Sequence, residues 1–218
     1  MNRRERLNRA RLYFVTDIRP GLEQLLAAAL EGGVDMVQLR DKSASDRELR
    51  EAAAVFRHLC DSHGALFWLN DRPDLVGPCG ADGVHVGQAD MAPAEARALM
   101  PGDRLVGLST HSPAQLDLAV ASGGADELSV GPVWATPTKE GRPAAGLGYV
   151  RYAAQHAGEY PWFAIGGIDL DNVREVIYAG ASRIVVVRAI REAADPRAAA
   201  AALCTALDEA RGGAEGQP

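Results

Sequence analysis

The stretch RLYFVTDIRPGLEQLLAAALEGGVDMVQLR, residues 11–40, contains one strand–helix–strand unit. Its two ends, RLYFVT (11–16) and DMVQLR (35–40), are short apolar runs of the length that strands have. Residues 21–31 between them are rich in Leu and Ala, which is typical of a helix. The stretch therefore predicts one parallel βαβ unit.

The same alternation of strand-like runs and Ala/Leu/Arg-rich stretches continues to about residue 211. The predicted strands cover residues 11–16, 35–40, 66–70, 83–86, 104–109, 127–131, 162–167 and 183–187. The predicted helices cover residues 21–31, 45–62, 72–79, 93–99, 112–122, 146–157, 171–179 and 193–211. Eight strand–helix pairs in this length favour an α/β fold of the closed (β/α)₈ TIM-barrel type over an open doubly wound sheet, which usually has fewer strands for its size.

The domain organisation follows from the uniform composition. No Ser/Gly/Pro-rich linker and no shift in composition divides the 218 residues. We therefore expect residues 1–218 to form a single TIM-barrel domain with a core at about residues 11–211. Residues 1–10 and 212–218 are expected to be flexible.

Charge and cysteine content limit the possible partners and location. The net charge is −6, and no long basic block is present, which disfavours nucleic-acid binding. Cys60, Cys79 and Cys204 are odd in number and far apart, which favours a reducing compartment over a disulfide framework or a zinc site. No segment has the length of a membrane span or the pattern of a signal peptide. We expect a cytoplasmic protein that acts on small molecules, and its Ala- and Leu-rich helices are compatible with a homo-oligomer.

Lysine is rare in this chain. Of the 23 Lys and Arg residues, 21 are arginine, and the two lysines are Lys42 and Lys139. One interpretation is that both positions need a compact ammonium group on a flexible stem. The alternative is that two surface lysines remain there by chance.

In a TIM barrel the loops after the C-terminal ends of the strands build the active site. In this chain those loops are rich in polar residues. They contain Gln38, Arg40 and Lys42 after the second strand, Asn70 and Asp71 after the third, Gln88 and Asp90 after the fourth, Ser109 and His111 after the fifth, and Arg188 after the eighth.

Two carboxylates in these loops are candidate metal ligands. Asp71 and Asp90 follow neighbouring predicted strands, which lie about 5 Å apart in a sheet. One or two carboxylates, with the remaining positions left to water and substrate phosphate, are the usual protein ligands of Mg²⁺. The alternative is that Asp71 only begins a turn and that Asp90 only caps the helix near Pro93.

The loop GPVWATPTKEGRP, residues 131–143, is too rich in proline for a helix or a central strand. A stiff loop of this kind offers threonine hydroxyls and backbone N–H groups to an anion at a low ordering cost. Gly166 and Gly167, after the seventh strand, allow backbone N–H groups to approach a phosphate closely. The loops after strands seven and eight are the usual phosphate site of the fold.

Seven strings in the sequence together resemble the thiamine-phosphate synthase family. They are LYFVTD, VQLRDK, LNDR, ADGVHVGQAD, GLSTHS, GPVWATPTKEGRPAAGLG and AIGGI, in the family's order and over roughly residues 11–190. The resemblance implies a transferase of thiamine biosynthesis that joins hydroxymethylpyrimidine diphosphate to thiazole phosphate, with Mg²⁺, and releases pyrophosphate.

The resemblance also implies roles for individual residues. It assigns the metal to Asp71 and Asp90, and the pyrimidine diphosphate to Gln38, Arg40, Lys42, Asn70, Ser109 and Lys139. It assigns the thiazole phosphate to Thr136, Thr138, Gly167 and Val187, to which we add Arg188 as a candidate. Lys139, Arg40 and Ser109 are the expected catalytic residues.

One position departs from the family pattern. The family's Val-Ser-Ala-Ile after the eighth strand is Val187-Arg188-Ala189-Ile190 in this chain. Arg188 would then supply a guanidinium to the phosphate in place of the serine. The alternative is that Arg188 pairs with Glu192 one turn later.

The implied chemistry needs no general base, because a thiazole nitrogen has a lone pair and no proton to lose. No Ser–His pair stands out in the sequence, and His85 is expected to be a packed histidine. His111 and Trp134 are further site candidates. Two other functions stay open, a thiazole tautomerase of the same fold and a non-catalytic barrel that binds thiazole phosphate or pyrimidine.

Overall fold

The computed structural model describes residues 1–136 and 143–214, and side chains are described through residue 209. Eight parallel strands close into a barrel in sequence order, with β8 paired to β1. The strands are β1 Leu12–Thr16, β2 Met36–Leu39, β3 Leu66–Asn70, β4 Gly83–Val86, β5 Leu105–Thr110, β6 Glu127–Val130, β7 Trp162–Ile165 and β8 Ile184–Val186. The TIM-barrel prediction is confirmed.

The described helices surround the barrel or follow its strands. They are α1 Arg3–Arg9, α2 Leu22–Glu31, α3 Asp46–His63, α4 Pro73–Val76, α5 Pro93–Leu99, α6 Pro113–Ser122, α7 Gly146–His156, α8 Val173–Tyr178, α9 Arg188–Arg191 and α10 Pro196–Ala214. Each of the eight predicted helices is present, although α4 is only four residues long. The helices α1 and α9 were not predicted. No helix in the described part of the chain is long and apolar enough to cross a membrane.

Helix α3 shows why the elements begin and end as they do. At the start of α3, Ser45 accepts a hydrogen bond from the backbone N–H of Glu48, and the Glu48 carboxylate accepts one from the backbone N–H of Ser45. This capping box satisfies two backbone donors that the helix leaves open. At the other end Gly64 takes a left-handed conformation with φ of 68°, which stops the helix.

The barrel has two apolar layers. The larger layer lies between the strands and the surrounding helices and includes Phe56 of α3 and Phe67 of β3. The smaller layer fills the barrel interior, where Tyr13 makes an edge-to-face contact with Phe163 at 5.7 Å between ring centroids. Trp68, which is fully buried, belongs to the same inner layer. The barrel interior is therefore a packed core.

Residues 3–9, within the segment expected to be flexible, form the helix α1, which packs against the N-terminal end of the barrel. Leu7 is 2% exposed and belongs to the inner apolar layer. Arg3 Nε lies 2.8 Å from Asp82 Oδ1, just before β4, and Arg6 Nη1 donates a 3.3 Å hydrogen bond to the carbonyl of Ala65, just before β3. At the other terminus α10 continues to Ala214, so residues 212–214 are helical as well.

Three aspartates join neighbouring strands at this N-terminal end. Each directly precedes an even-numbered strand and accepts a backbone hydrogen bond from the preceding odd-numbered strand. The bonds run from Leu12 N to Asp35 at 3.0 Å, from Phe67 N to Asp82 at 3.0 Å and from Val106 N to Asp126 at 2.8 Å. These carboxylates lie at the end of the barrel opposite the predicted active site. We therefore infer that they stabilise the fold and take no part in the chemistry.

Candidate active site

A small cavity of about 40 Å³ opens inside the barrel at the C-terminal ends of the strands. We call it the barrel cavity. Its lining includes four residues that the sequence assigned to the pyrimidine diphosphate, namely Gln38, Arg40, Asn70 and Ser109. The other lining residues are Tyr13, Val15, His85, Ser129, Ile165, Val185 and Val187.

Hydrogen bonds orient the polar groups on one side of the barrel cavity. Arg40 Nη1 donates to Asn70 Oδ1 at 2.6 Å, and Gln38 Nε2 donates to the hydroxyl of Tyr13. Burial raises the pKa of Tyr13 well above 10.0, and the negative charge of Glu127 raises it further, against the effect of the Gln38 hydrogen bond. Tyr13 is therefore a neutral phenol at physiological pH.

A chain of buried polar side chains occupies the other side. Ser129 Oγ donates to Glu127 Oε1 at 2.8 Å, and Glu127 Oε2 lies 3.0 Å from His85 Nδ1. His85 Nε2 lies 2.9 Å from Ser109 Oγ. The expectation that the protein has no evident Ser–His pair is wrong. Pairing of strand β4 with strand β5 places His85 beside Ser109. His85 is nonetheless packed and hydrogen-bonded, as expected, and is 8% exposed.

Gly107 makes room for this buried chain. A Cβ atom at this position would lie 2.5 Å from His85 Nδ1 and 3.1 Å from Trp68 Cζ3, and it would also overlap Glu127. These distances are too short for any side chain. The glycine in β5 therefore allows a histidine and a glutamate to meet inside the barrel.

Asp71 and Asp90 lie together at the rim of the barrel mouth. The Asp90 carboxyl lies within hydrogen-bonding reach of the Asp71 carboxyl, and Lys42 Nζ lies 2.9 Å from Asp71 Oδ2. Although burial opposes ionisation of Asp71, its contacts with Lys42 and Asp90 lower its pKa below 3.8. Asp71 therefore carries a negative charge at neutral pH.

The backbone fixes the positions of these two carboxylates. Asp71 has a left-handed φ of 58°, and its N–H donates to the carbonyl of His85 at 2.9 Å. Asp90 Oδ2 accepts a 2.8 Å hydrogen bond from the N–H of Gly87. The N-cap of α5 is Ala92, so Asp90 is not the helix cap that the alternative interpretation required. In the described part of the chain no three His, Cys, Asp or Glu residues form a metal-binding group.

A second cavity of about 270 Å³ lies beside the first, under the loops that follow β6, β7 and β8. We call it the loop cavity. Four of the residues assigned to the thiazole phosphate line it, namely Thr136, Gly167, Val187 and Arg188. Ile165, Val185 and Val187 line both cavities, so the two are neighbours with a shared apolar wall.

Close backbone contacts between the loops after β6 and β7 shape the loop cavity. The N–H of Val133 donates to the carbonyl of Ile165 at 2.8 Å, and the N–H of Trp134 donates to the carbonyl of Gly166 at 3.0 Å. Gly166 has a φ of 109°, and a Cβ atom there would lie 2.5 Å from Pro132. Only glycine satisfies both conditions.

The remaining predicted residues have different outcomes. Thr138 and Lys139 lie outside the described residues. Glu192 pairs with Arg191 at 3.0 Å, and no carboxylate among the described side chains lies within ion-pair distance of Arg188. His111 lines the loop cavity, and its Nδ1 lies 2.6 Å from the carbonyl of Gly131. Trp134 packs against the outer apolar layer.

Sequence reasoning did not identify the roles of Tyr13, Glu127 and Ser129 at this site. A signal was present, because Glu127 and Ser129 lie two residues apart in a short, otherwise apolar strand and so face the same side. A charged side chain that faces a barrel interior is costly unless it is paired, and this is a reason to look for a site.

Known proteins share this arrangement of strands and loops. Residues 12–190 match the family described as thiamine monophosphate synthase. The thiamine-phosphate synthase of Thermus thermophilus is 55% identical in an alignment of 198 residues that covers 88% of this chain and 95% of that protein. That of Saccharopolyspora erythraea is 52% identical in an alignment of 213 residues that covers 94% of this chain and 96% of the relative.

A solved structure agrees with the sequence comparisons. The thiamine phosphate pyrophosphorylase of Pyrococcus furiosus superposes with a TM-score of 0.84 at 34% identity, and the match covers 96% of this chain and 99% of that chain. With the family match over most of the sequence, these likenesses establish that the chain belongs to the thiamine monophosphate synthase family.

Proposed function

We propose that this protein is a thiamine-phosphate synthase, a transferase that joins hydroxymethylpyrimidine diphosphate to thiazole phosphate and releases pyrophosphate. The observation that carries the proposal is the pair of neighbouring cavities at the barrel mouth. One is lined by polar groups suited to a pyrimidine diphosphate, and the other is lined by glycine backbone, Thr136 and Arg188, which suit a phosphate. Their shared wall would bring the methylene carbon of the pyrimidine and the nitrogen of the thiazole together.

The barrel cavity is the proposed pyrimidine subsite. Gln38, Asn70 and Ser109 would contact the ring or its substituents, and Arg40 would bring positive charge to the diphosphate. The hydrogen bond from Arg40 to Asn70 supports this assignment, because it holds the guanidinium at the cavity wall before substrate arrives. Lys139 and Lys42 would contact the same diphosphate, and we propose Lys139, Arg40 and Ser109 as the catalytic residues.

Asp71 and Asp90 are the residues that would hold a Mg²⁺ ion. Both ligands are hard oxygen donors, their carboxyl groups are adjacent, and Asp71 is ionised. Two carboxylates without a third protein ligand suit a Mg²⁺ that takes its other oxygens from water and phosphate. When bound, the ion would neutralise charge that develops on the departing pyrophosphate. Lys42, 2.9 Å from Asp71, would add a second positive charge at the same rim.

The loop cavity is the proposed thiazole phosphate subsite. Thr136, Thr138, Gly167 and Val187 would receive the phosphate through hydroxyl and backbone N–H groups. Arg188 would contribute a charge-assisted hydrogen bond. Its side chain lines the cavity and forms no ion pair with the described carboxylates, which supports this use over pairing with Glu192.

The reaction follows from these two subsites. The C–O bond between the pyrimidine methylene and the diphosphate breaks, and the thiazole nitrogen forms a C–N bond to the same carbon. The substitution is dissociative, because the electron-rich aminopyrimidine tolerates positive charge at its methylene. The protein's groups stabilise the leaving pyrophosphate and hold the thiazole nearby. Since the nitrogen has no proton to lose, the Ser109–His85 pair is not needed as a base.

The proposal includes a cytoplasmic location and small-molecule partners without nucleic acid or membrane, as composition predicts. Association of several copies through the helical surface is part of the same expectation.

The test is an incubation of the pure protein with both phosphorylated substrates, once with Mg²⁺ and once with excess chelator. Mass spectrometry follows thiamine phosphate and pyrophosphate in the same samples. Equal, metal-dependent appearance of both products supports the proposal. Absence of both products, with thiazole phosphate still bound, would instead support a tautomerase or a barrel that only binds its ligand.

A further inference from the structure

A buried chain of hydrogen-bonded side chains runs from Ser129 through Glu127 and His85 to Ser109, and its first three members have no role in the reaction described above. All four side chains are buried, with exposures of 2%, 0%, 8% and 3% in that order. A buried carboxylate is costly unless it is hydrogen-bonded, so a glutamate inside the barrel needs a structural or functional reason. Only one end of the chain, Ser109, carries a proposed catalytic role.

Glu127 determines which nitrogen of His85 carries the proton. One carboxylate oxygen accepts from Ser129 Oγ at 2.8 Å, and the other lies 3.0 Å from His85 Nδ1. A carboxylate accepts hydrogen bonds and donates none, so the hydrogen must lie on Nδ1. In a neutral imidazole the second nitrogen, Nε2, is then an acceptor.

The state of His85 determines the direction of the Ser109 hydroxyl. Nε2 lies 2.9 Å from Ser109 Oγ, so an acceptor nitrogen takes the single hydroxyl proton of the serine. With that proton committed to His85, Ser109 meets any group in the barrel cavity as an acceptor. A ligand with an N–H donor, such as the amino group of an aminopyrimidine, is then favoured over a ligand with an acceptor at the same point.

We propose that Glu127 is a positioning residue that acts through His85 to present Ser109 to the pyrimidine as a hydrogen-bond acceptor. The inference rests on the proposed function, because it concerns the proposed pyrimidine subsite. Glu127 touches no substrate in this arrangement. It makes the barrel cavity selective for a donor group.

The first test reads the histidine tautomer in the unmodified protein. NMR of protein labelled with ¹⁵N-histidine distinguishes a protonated Nδ1 from a protonated Nε2, and a His85→Gln sample assigns the signal. We expect the proton of His85 on Nδ1, which faces Glu127, and not on Nε2. In Glu127→Gln the side-chain amide is able to donate to Nδ1, and we expect the proton to move to Nε2. A wild-type His85 with the proton on Nε2 overturns the proposal.

The second test measures binding of each substrate by calorimetry, without turnover. In Glu127→Gln, Ser109 would offer a donor where an acceptor is needed, so the Kd for hydroxymethylpyrimidine diphosphate should rise roughly 5- to 100-fold. The Kd for thiazole phosphate should not change. Ser129→Ala is the matched control, because it removes a hydrogen bond to Glu127 and leaves the carboxylate beside His85, so its effect on binding should be smaller.

Equal weakening of both substrates in Glu127→Gln would show a general structural role and overturn the proposal. Unchanged binding of both would overturn it as well. If Glu127→Gln does not fold, the tautomer of the unmodified protein still decides. Failure of the proposed function would give a different result. A protein that binds both substrates selectively and makes no thiamine phosphate would disprove synthesis and leave the role of Glu127 intact.

Discussion

Nη1 of Arg57, on helix α3, lies 2.8 Å from Oδ2 of Asp82 at the N-terminal end of β4. The same carboxylate pairs with Arg3 at 2.8 Å and accepts the backbone N–H of Phe67 at 3.0 Å. It therefore connects a surrounding helix, the N-terminal helix and strand β3. Although burial opposes its ionisation, the contacts with Arg57 and Phe67 lower the pKa of Asp82 below 3.8.

Replacement of this carboxylate should destabilise the fold in a pH-dependent way. Asp82→Asn leaves Arg3 and Arg57 without their buried carboxylate partner, and we expect a loss of roughly 2 to 3 kcal/mol in the free energy of unfolding near neutral pH. The loss is below the value for a fully buried pair because the arginines are partly exposed. Because the folded-state pKa is depressed, this stabilisation is present above an unfolded-state pKa near 3.8 and is lost as the pH falls through the folded-state pKa. Urea unfolding at a series of pH values measures the difference.

The control for this prediction is Asp103→Asn. Asp103 also pairs with Arg3, but its side chain is 71% exposed, so its loss should cost less than about 1 kcal/mol. A gap between wild type and Asp82→Asn that stays constant from pH 7 to strongly acidic solution would contradict the assigned role of the carboxylate.

The contact of α1 with the barrel should contribute to stability and not to catalysis. Leu7→Ala removes a buried side chain from the inner apolar layer, so we expect a loss of about 2 to 5 kcal/mol in the free energy of unfolding. The kcat of the folded variant should be unchanged, because Leu7 lies at the end opposite the mouth. Leu118→Ala, at a position 70% exposed, should change stability by less than about 0.5 kcal/mol. A fall in kcat without a loss of stability in Leu7→Ala would refute this assignment.

Asp71 should affect turnover far more than stability. Asp71→Asn removes the negative charge of one of the two proposed Mg²⁺ ligands and the ionic partner of Lys42, so kcat should fall roughly 100- to 1,000-fold, as when a preorganised electrostatic group is lost. Steady-state kinetics at several Mg²⁺ concentrations, with thermal unfolding alongside, provide the check. Asp61→Asn, an exposed carboxylate paired with Arg57, is the control and should retain full activity. Unchanged turnover in Asp71→Asn would remove Asp71 from the proposed site.

Arg188 should contribute to binding of one substrate only. Loss of a charge-assisted hydrogen bond to phosphate in Arg188→Ala should raise the KM for thiazole phosphate roughly 10- to 100-fold and leave that for pyrimidine diphosphate unchanged. Arg174→Ala removes an exposed arginine of α8 that pairs with Glu209 and should change neither KM. Equal KM values in wild type and Arg188→Ala would mean that threonine hydroxyls and backbone N–H groups hold the phosphate alone.

The strands were predictable because each is a short apolar run between polar loops. Their observed ends differ from the predicted ends by no more than two residues, as for β7, predicted at 162–167 and found at Trp162–Ile165. The helix α9 was missed because it begins at Arg188, directly after its N-cap Val187, which makes no side-chain cap bond. The helix α1 was missed although Asn2 and Glu5 form a capping box at its start, a signal that the sequence contains. Its contacts with the barrel were not predictable locally, because they involve distant groups such as Asp82, 79 residues along the chain from Arg3.

Several residues that line the barrel cavity were predictable, because they lie at the C-terminal ends of strands. Residues at strand ends, such as Gln38 and Asn70, follow from the rule that TIM barrels build their sites there, and both line the barrel cavity. The partnership of His85 with Glu127 joins residues 42 positions apart. It exists only after β4, β5 and β6 lie side by side, and no local pattern contains that information.

The closure of the barrel by α1 also constrains the order of events during synthesis. Arg3 and Arg4 are made before their partners Asp82 and Asp126, which are added 79 and 122 residues later. The ion pair of Arg3 with Asp82 therefore cannot form before β4 begins, and that of Arg4 with Asp126 cannot form before β6 begins. Helix α1 thus completes its ion pairs only on a largely assembled barrel.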